Sequence, residues 1–257
     1  MAGTRETLLA FQRETLSRTA DRVEEHALGT LFLTPSLDSV WSLNALVVDD
    51  AAPSLGLDDV ERVLGEHFPT QRFASALFHD DATGERLAAE ARERGWKTES
   101  EVAMELCRAP DRVADTAGVR EASRDEVMAL LSVWFADDHA AQGEEVLRQL
   151  DEYAEREWRA RPPRALVTAD AKATCKLWSD GTTAQVEDVY TAADARGQGH
   201  ARALITKAVE LAQEAHHDRI FIVADDEDTP KELYARLGFD PVVRGIRVIR
   251  ERPAPGG

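Results

Sequence analysis

The sequence predicts an α/β fold of the α+β kind, with two tandem domains built on mixed, mostly antiparallel sheets flanked by helices. Three observations lead there. Short apolar runs bounded by turn residues alternate with segments of helical period. The second half reads helix, helix, strand, strand, strand, helix, strand, helix, strand. One unit also occurs twice: "ALFHDDATGERLAAEARERGW" (76–96) and "IFIVADDEDTPKELYARLGF" (220–239) each run apolar strand, Asp-Asp, polar loop, helix, then Gly and an aromatic. A strand-like segment follows each copy, "ESEVAMEL" and "GIRVIRE". The domains are expected at residues 1–115 and 116–257.

The bulk numbers are consistent with this. A chain of 257 residues with 43% hydrophobic content can bury one large core or two modest ones. A formal charge of −17 repels phosphate backbones and anionic lipid, so neither nucleic acid nor membrane is an expected partner, whereas cationic amines suit such a surface. "MAGTRETLLAFQRETLSRTADR" lacks the apolar core of a signal peptide, and no run of about 18 apolar residues occurs. A cytoplasmic location is expected. Cys107 and Cys175 are far apart and without histidine company, which suits neither a metal site nor a disulfide framework. Both are expected to be buried free thiols.

The elements follow in order. A helix is expected over about residues 4–27, then strands "GTLFLTP" and "SVWSLNALVVD", the helix "DDVERVLGEHF", and the first repeat unit. The polar stretch 107–126 reads as a linker. Ser123 with Glu126 forms a capping box that opens the helix "RDEVMALLSVWFA". A second helix, "GEEVLRQLDEYAEREW", precedes strands "RALVTAD" and "ATCKLWS". "SDGT" is a hairpin turn on Asp180-Gly181 and "AQVEDVYT" the returning strand. After the next helix come strand "RIFIVAD", a short helix around Tyr234, and a closing strand. In that short helix Thr229 suits the cap, Pro230 the first position and Gly238 the stop. Leu233 and Leu237 should face the core, leaving Tyr234 turned about 100° away, toward the rim of the sheet.

The functional signal is "ARGQGHARAL" (195–204), where a strand hands over to a helix. Leu204, Ile205, Ala208, Leu211, Ala212 and Ala215 form one stripe of that helix, so it begins near Gly199. Its first turn has unpaired N–H groups and the positive end of the dipole, an anion site that small residues let a diphosphate reach. Gly197, Gly199 and Ala201 keep side chains away; Gln198, His200 and Arg202 add N–H groups, and Arg196 adds charge. A third glycine at dinucleotide-fold spacing is lacking, as is the Gly-Lys-Ser/Thr of a phosphate loop.

At these residues the sequence resembles the GCN5-related N-acetyltransferases, the GNAT superfamily, over roughly residues 120–252. Their acyl-CoA loop, Arg/Gln-x-x-Gly-x-Gly/Ala, is met by Arg196, Gly199 and Ala201. The strand and turn ahead of it, "VEDVYTAADARGQG", and the ending "ELYARLGF" follow the family pattern in order. The resemblance implies acetyl-CoA as co-substrate, with no metal, and the backbone of Val189 and Thr191 as partners of the pantetheine arm and thioester oxygen. It implies Glu187 as acceptor of the amine proton; Asp188 should point to the opposite face of the strand unless a bulge intervenes. Tyr234 is the candidate donor to the departing thiolate. Relatives often carry an asparagine before the last helix, where this chain has "DDEDTP". Asp225, Asp226, Glu227 and Asp228 are either a solvated loop or a face for a cationic substrate. His216 and His217 suit a helix C-terminus, not catalysis.

In the first half, "VVDDAAPSLGLDDVERVL" sets Asp49, Asp50, Pro53, Asp58 and Asp59 where the second half has arginine and glycines, and its repeat helix lacks a tyrosine. Acidic side chains at a helix start occupy the anion's place themselves. The pattern "LFLTPSLDSVWSLNALVVDD" is similar to the first half of tandem GNAT proteins of actinobacteria, which implies a degenerate copy. The expected function is acetyl transfer from acetyl-CoA to a primary amine of a small molecule or peptide, by a monomer or homodimer. The alternative is a non-catalytic acyl-CoA sensor or partner-binding module on the same fold.

Overall fold

The computed structural model describes residues 3–252. In chain order the elements are α1 (Thr4–Thr19), β1 (Arg22–His26), β2 (Gly29–Leu33), β3 (Ala45–Val48), α2 (Leu57–His67), β4 (Phe73–Phe78), α3 (Asp81–Glu93) and β5 (Lys97–Leu106). Then come β6 (Val119–Glu121), α4 (Arg124–His139), α5 (Glu144–Ala160), β7 (Arg164–Thr168), β8 (Ala173–Ser179), β9 (Thr183–Thr191), α6 (His200–Glu214), β10 (Arg219–Asp225), α7 (Pro230–Arg236) and β11 (Phe239–Glu251). Two compact units result. The C-terminal unit holds the residues up to Phe11, Ala103–Ala224 and Asp228–Val242; the N-terminal unit holds Gln12–Val102, Asp225–Glu227 and the chain from Val243.

In the N-terminal unit the strand order is β1-β2-β3-β4-β11-β5. β1 with β2, β2 with β3 and β4 with β11 are antiparallel, while β3 and β4 are parallel around the crossover helix α2. The strands between neighbours are wholly apolar, "ALVV" and "FASALF" apart from Ser75, because both faces are covered. Leu57, Val60, Val63 and Leu64 of α2 and Leu87, Ala88 and Ala91 of α3 close a core with Leu31, Leu46, Phe78 and Val248.

In the C-terminal unit the order is β5-β10-β9-β8-β7-β6, with β6 through β9 antiparallel and β9 parallel to β10 around α6. α6 packs on β7, β8 and β9, and α4 packs on α5 and the same strands. The α6 stripe is buried at Leu204, Ile205, Ala208, Leu211 and Ala212, each such side chain contributing about 1–3 kcal/mol by area. The stripe is one residue shorter than expected, for Ala215 is exposed at the helix end. The capping box is present: Glu126 N–H donates to Ser123 Oγ at 3.3 Å, and Ser123 N–H donates to Glu126 Oε2 at 2.9 Å.

Several expectations need correction. The first helix stops at Thr19, and "RVEEH" forms the edge strand β1, whose charged, exposed residues hid it from an apolar-pattern reading. The linker contains β6. Thr229 makes no side-chain cap to α7, although Pro230 holds the first position. Cys175 is buried, but Cys107 is exposed; both are free thiols.

Candidate active site

The crossover from β9 to α6 sets the first half of the site. Gly197 and Gly199 have φ of +77° and +91°, conformations L side chains rarely adopt, and a Cβ on either would meet nothing within 4 Å. The glycines are therefore required by backbone shape, and the space in front of them is open. Gly199 caps α6, whose first-turn N–H groups face that space together with the exposed Arg196. Arg196 Nε donates to Thr191 O at 3.2 Å, and Gln198 Nε2 to Asp194 O at 3.3 Å, so both side chains tie the loop to β9 and its following turn. His200 lies 3.5 Å from the Asp170 carboxylate. Ala201 leaves the next position small. Arg202 turns inward instead, is buried, and donates to Asp111 at 2.7 Å, so that only its backbone belongs to the loop.

The second half of the site is β9 itself. Its parallel pairing with β10 is registered from Arg219↔Thr183 to Ile222↔Val186; Glu187–Thr191 lies beyond the last pair. On the other side, β8 pairs Thr174↔Tyr190 and Lys176↔Glu187, so Asp188 and Val189 together face Cys175. This is a β-bulge, and Asp188 sits in the left-handed region at φ +51°. The strand thus presents a stretch with its alternation broken and its β10 edge unpaired. Val189 and Thr191 lie there, and the Thr191 hydroxyl is buried without a partner.

The bulge gathers charge. Lys176 is fully buried and directly across from Glu187, yet its Nζ is ion-paired with Asp188, with Glu157 of α5 at 3.9 Å. Asp188 does not point away from Glu187's surroundings; both carboxylates act on the same ammonium. Burial pushes Glu187 well above the ordinary carboxylate range, helped by the charges of Asp188 and Glu157 and opposed by Lys176 and by the Gln185 amide, which donates to Glu187. Burial likewise lifts Glu157 to about 7 against the pull of Lys176. Burial alone would lower Lys176, but Asp188 and Glu157 outweigh it and keep the amine protonated.

Tyr234 belongs to this group. It is 6% exposed and faces inward, not toward the rim; Leu237 is buried as expected, whereas Leu233 is only half-buried. With only seven residues, α7 is too short for its own periodicity to fix which face is buried. A Cβ on Gly238 would lie 2.0 Å from Arg108 O, so the turn at φ +101° presses against that strand end. Burial, then the charge of Glu187 and the Cys175 thiol, push the Tyr234 phenol up, so it holds its proton at neutral pH.

Elsewhere the acidic loop is internally satisfied. Asp225 accepts from Glu227 N at 2.8 Å and Asp228 from Thr229 N at 2.6 Å. Asp226 accepts from Arg244 Nε at 2.9 Å. His217 Nδ1 donates to Ala212 O at 2.9 Å while Ser179 Oγ donates to its Nε2, a structural bridge. Sequence reasoning missed Lys176 and Glu157. Their signals exist: a lysine inside the apolar run "ATCKLWS", and a glutamate on the inward stripe of α5 with Val146, Gln149 and Ala154. Among the described residues, no group of three or more His, Cys, Asp or Glu could hold a metal ion. No helix among them is long and apolar enough to cross a membrane.

Comparison with known proteins bears on this arrangement. Residues 125–239 match the acetyltransferase (GNAT) family. No curated protein matches by sequence. A conserved protein of unknown function from Staphylococcus epidermidis shares the fold at 15% identity, over 91% of this chain and 95% of that one, with a TM-score of 0.69. A GCN5-related N-acetyltransferase from Kribbella flavida covers 100% of this chain and 98% of its own at 20% identity and a TM-score of 0.62. A tandem GNAT protein from the clavulanic acid biosynthesis pathway covers 82% and 76% at 16% identity and a TM-score of 0.51. At these identities the likeness is one of fold.

Proposed function

Because residues 125–239 match the GNAT acetyltransferase family and solved GNAT proteins share this fold, we propose that the chain transfers an acetyl group from acetyl-CoA to a primary amine of a small molecule or peptide. The observation that carries the reading is the convergence of three features on one stretch of β9: the open, glycine-shaped amides ahead of α6, the bulge with its unpaired β10 edge, and the pair Glu187 and Tyr234. The residues fit the coenzyme, since the space in front of Gly197 and Gly199 is open and lies at the amides that begin α6, where a diphosphate can dock.

Acetyl-CoA supplies an activated acyl group as its thioester. The first-turn N–H groups of α6, from Gly199 through Arg202, bind the diphosphate with Arg196, and Gly197 and Gln198 shape its approach. The backbone of Val189 and Thr191 aligns the extended arm along the open strand edge. Glu187 Oε takes the proton from the incoming ammonium; its raised proton affinity brings it toward that of the amine it must neutralise. The Tyr234 hydroxyl keeps its proton until negative charge develops on the sulfur, and then donates it. The N–C bond forms, the C–S bond breaks, the thiol leaves protonated, and the second proton that the nitrogen sheds on becoming an amide restores the Tyr234 phenol.

We assign this chemistry to residues 116–257 and a non-catalytic role to residues 1–115. The cytoplasm, where unpaired thiols such as Cys107 and Cys175 persist, is the proposed setting. Calorimetric titration with acetyl-CoA, followed by free-thiol release across a panel of amines, tests the reading. One coenzyme per chain and amine-dependent release are expected, and Glu187→Gln should cut turnover by about a hundredfold or more. Absence of binding overturns the reading, and binding without turnover on any amine converts it to the sensor.

A further inference from the structure

Lys176 is the one fully buried lysine side chain among the described residues, and the reading above gives it no part. An isolated buried ammonium is expensive, so a chain keeps one where it is paired and where the pairing serves the site. Its cross-strand partner by register is Glu187, and an extended strand would bring these two side chains together on one face. The bulge changes the outcome. With Asp188 in the left-handed conformation, its carboxylate reaches the ammonium as well, and it is Asp188 that makes the ion pair.

We propose that Lys176 is a positioning residue that, by engaging Asp188, holds the β9 bulge in shape and leaves Glu187 without a dedicated counter-charge, able to accept the acceptor amine's proton. Had Lys176 paired with Glu187 in register, that carboxylate would be a weak base held ionised by its own salt bridge. The charged groups acting on Glu187 are Asp188 on its own strand, Glu157 on α5 and Lys176 on β8, and Glu187 in turn acts on the phenol of Tyr234 on α7, as does Cys175 on β8. Glu157, hydrogen-bonded by Tyr153, lies 3.9 Å from the ammonium and completes its surroundings. Trp178, whose ring centre is 5.7 Å from Nζ, and the Gln185 amide that donates to Glu187 wall the cluster with side chains that do not ionise.

The inference rests on Glu187 being the proton acceptor, and the two can fail separately. The carboxyl carbon of Glu187, assigned in labelled protein by its loss in Glu187→Gln, is followed by NMR from about pH 4 to about pH 9. Asp188→Asn, which the left-handed conformation tolerates, frees Lys176 to pair with Glu187 and should lower the midpoint by about one unit or more. Lys176→Met removes the ammonium that opposes the rise of Glu187 and should raise the midpoint by a similar amount, and Lys176→Arg should restore it. A midpoint that rises or stays in Asp188→Asn overturns the inference, whether or not Lys176→Met folds. Full turnover by Glu187→Gln would sink the base assignment instead, while leaving the midpoint shifts readable.

Discussion

The two units contain the same device, a helix crossing between parallel strands, and finish it differently. In the C-terminal unit the β9–β10 pairing stops at Val186↔Ile222, the strand bulges, and Gly199 opens α6 with no side chain over its amides. In the N-terminal unit the β3–β4 ladder runs to Val48↔Phe78, His79 N–H then donates to Val48 O at 3.0 Å, and no gap is left. The helix start there is filled from within: Asp59 Oδ2 accepts from Gly56 N–H at 3.2 Å, with Asp58 beside it. His79 and Arg13 are both bound to Asp49 where β3 ends. The difference teaches that two units of one fold can leave a helix start open or close it, and the proposed anion site needs the open form: an unpaired strand edge and a helix start without its own carboxylate.

The largest expected effect breaks the contrast by giving the C-terminal unit the character of the other. Gly199→Glu places a carboxylate at the α6 cap and forces a side chain into φ +91°. Acetyl-CoA affinity should fall by at least about 100-fold, roughly 3 kcal/mol. Calorimetry checks it, and retained affinity would place the coenzyme elsewhere.

The second contrast is internal charge. The strands β3 and β4 hold no ionisable side chain, whereas β8, β9 and α5 bury Lys176 with three carboxylates around it. Glu157 at about 7 lies above its ordinary 4.5, so the folded state binds that proton more tightly than the unfolded chain does. Stability from this group is therefore present below the unfolded value and is lost as pH rises through about 7. The unfolding free energy of the wild type, read from urea titrations, should decline between about pH 4.5 and about pH 7 by roughly 3 kcal/mol through Glu157, and Glu157→Gln should flatten that decline. A parallel slope in both proteins would remove Glu157 as its source.

Tyr234→Phe sharpens the comparison of the two repeat helices, since α3 buries Leu87, Ala88 and Ala91 and has no phenol to lose. Turnover should drop about tenfold or more with coenzyme affinity unchanged. A loss confined to KM would make the hydroxyl a binding group.

Much of this contrast was legible before the structure. The order of elements in the second half, the Ser123–Glu126 box, the α6 stripe and the acidic replacement of the first loop all follow from local pattern, where spacing alone decides facing. What escaped depends on partners distant in sequence. Tyr234 turns inward because a seven-residue helix is oriented by its neighbours. Asp188 and Glu187 share Lys176 because Asp188 itself belongs to the bulge opposite Cys175, an exception to alternation that the sequence admits but does not locate. Glu157 meets Lys176 only once α5 lies on the sheet. β1 was missed because an edge strand needs no apolar side chains to be held by its ladder.

The smallest expected effect is also the most discriminating for the N-terminal unit. Asp59→Ala removes the carboxylate from Gly56 N–H and should cost about 1 kcal/mol of stability, the usual worth of a helix cap. It frees amides of the kind that open α6, so if bare amides sufficed, a second acetyl-CoA would bind. The closed β3–β4 ladder predicts otherwise, because the arm has no unpaired strand edge to follow even where the diphosphate could dock. Asp50 and the exposed Asp58 also remain to repel it. Stoichiometry in calorimetry should stay at about one per chain, with affinity unchanged, while the urea midpoint shifts down. A second equivalent would mean that Asp59 alone had silenced this unit, and that its ladder opens more readily than its pairing implies.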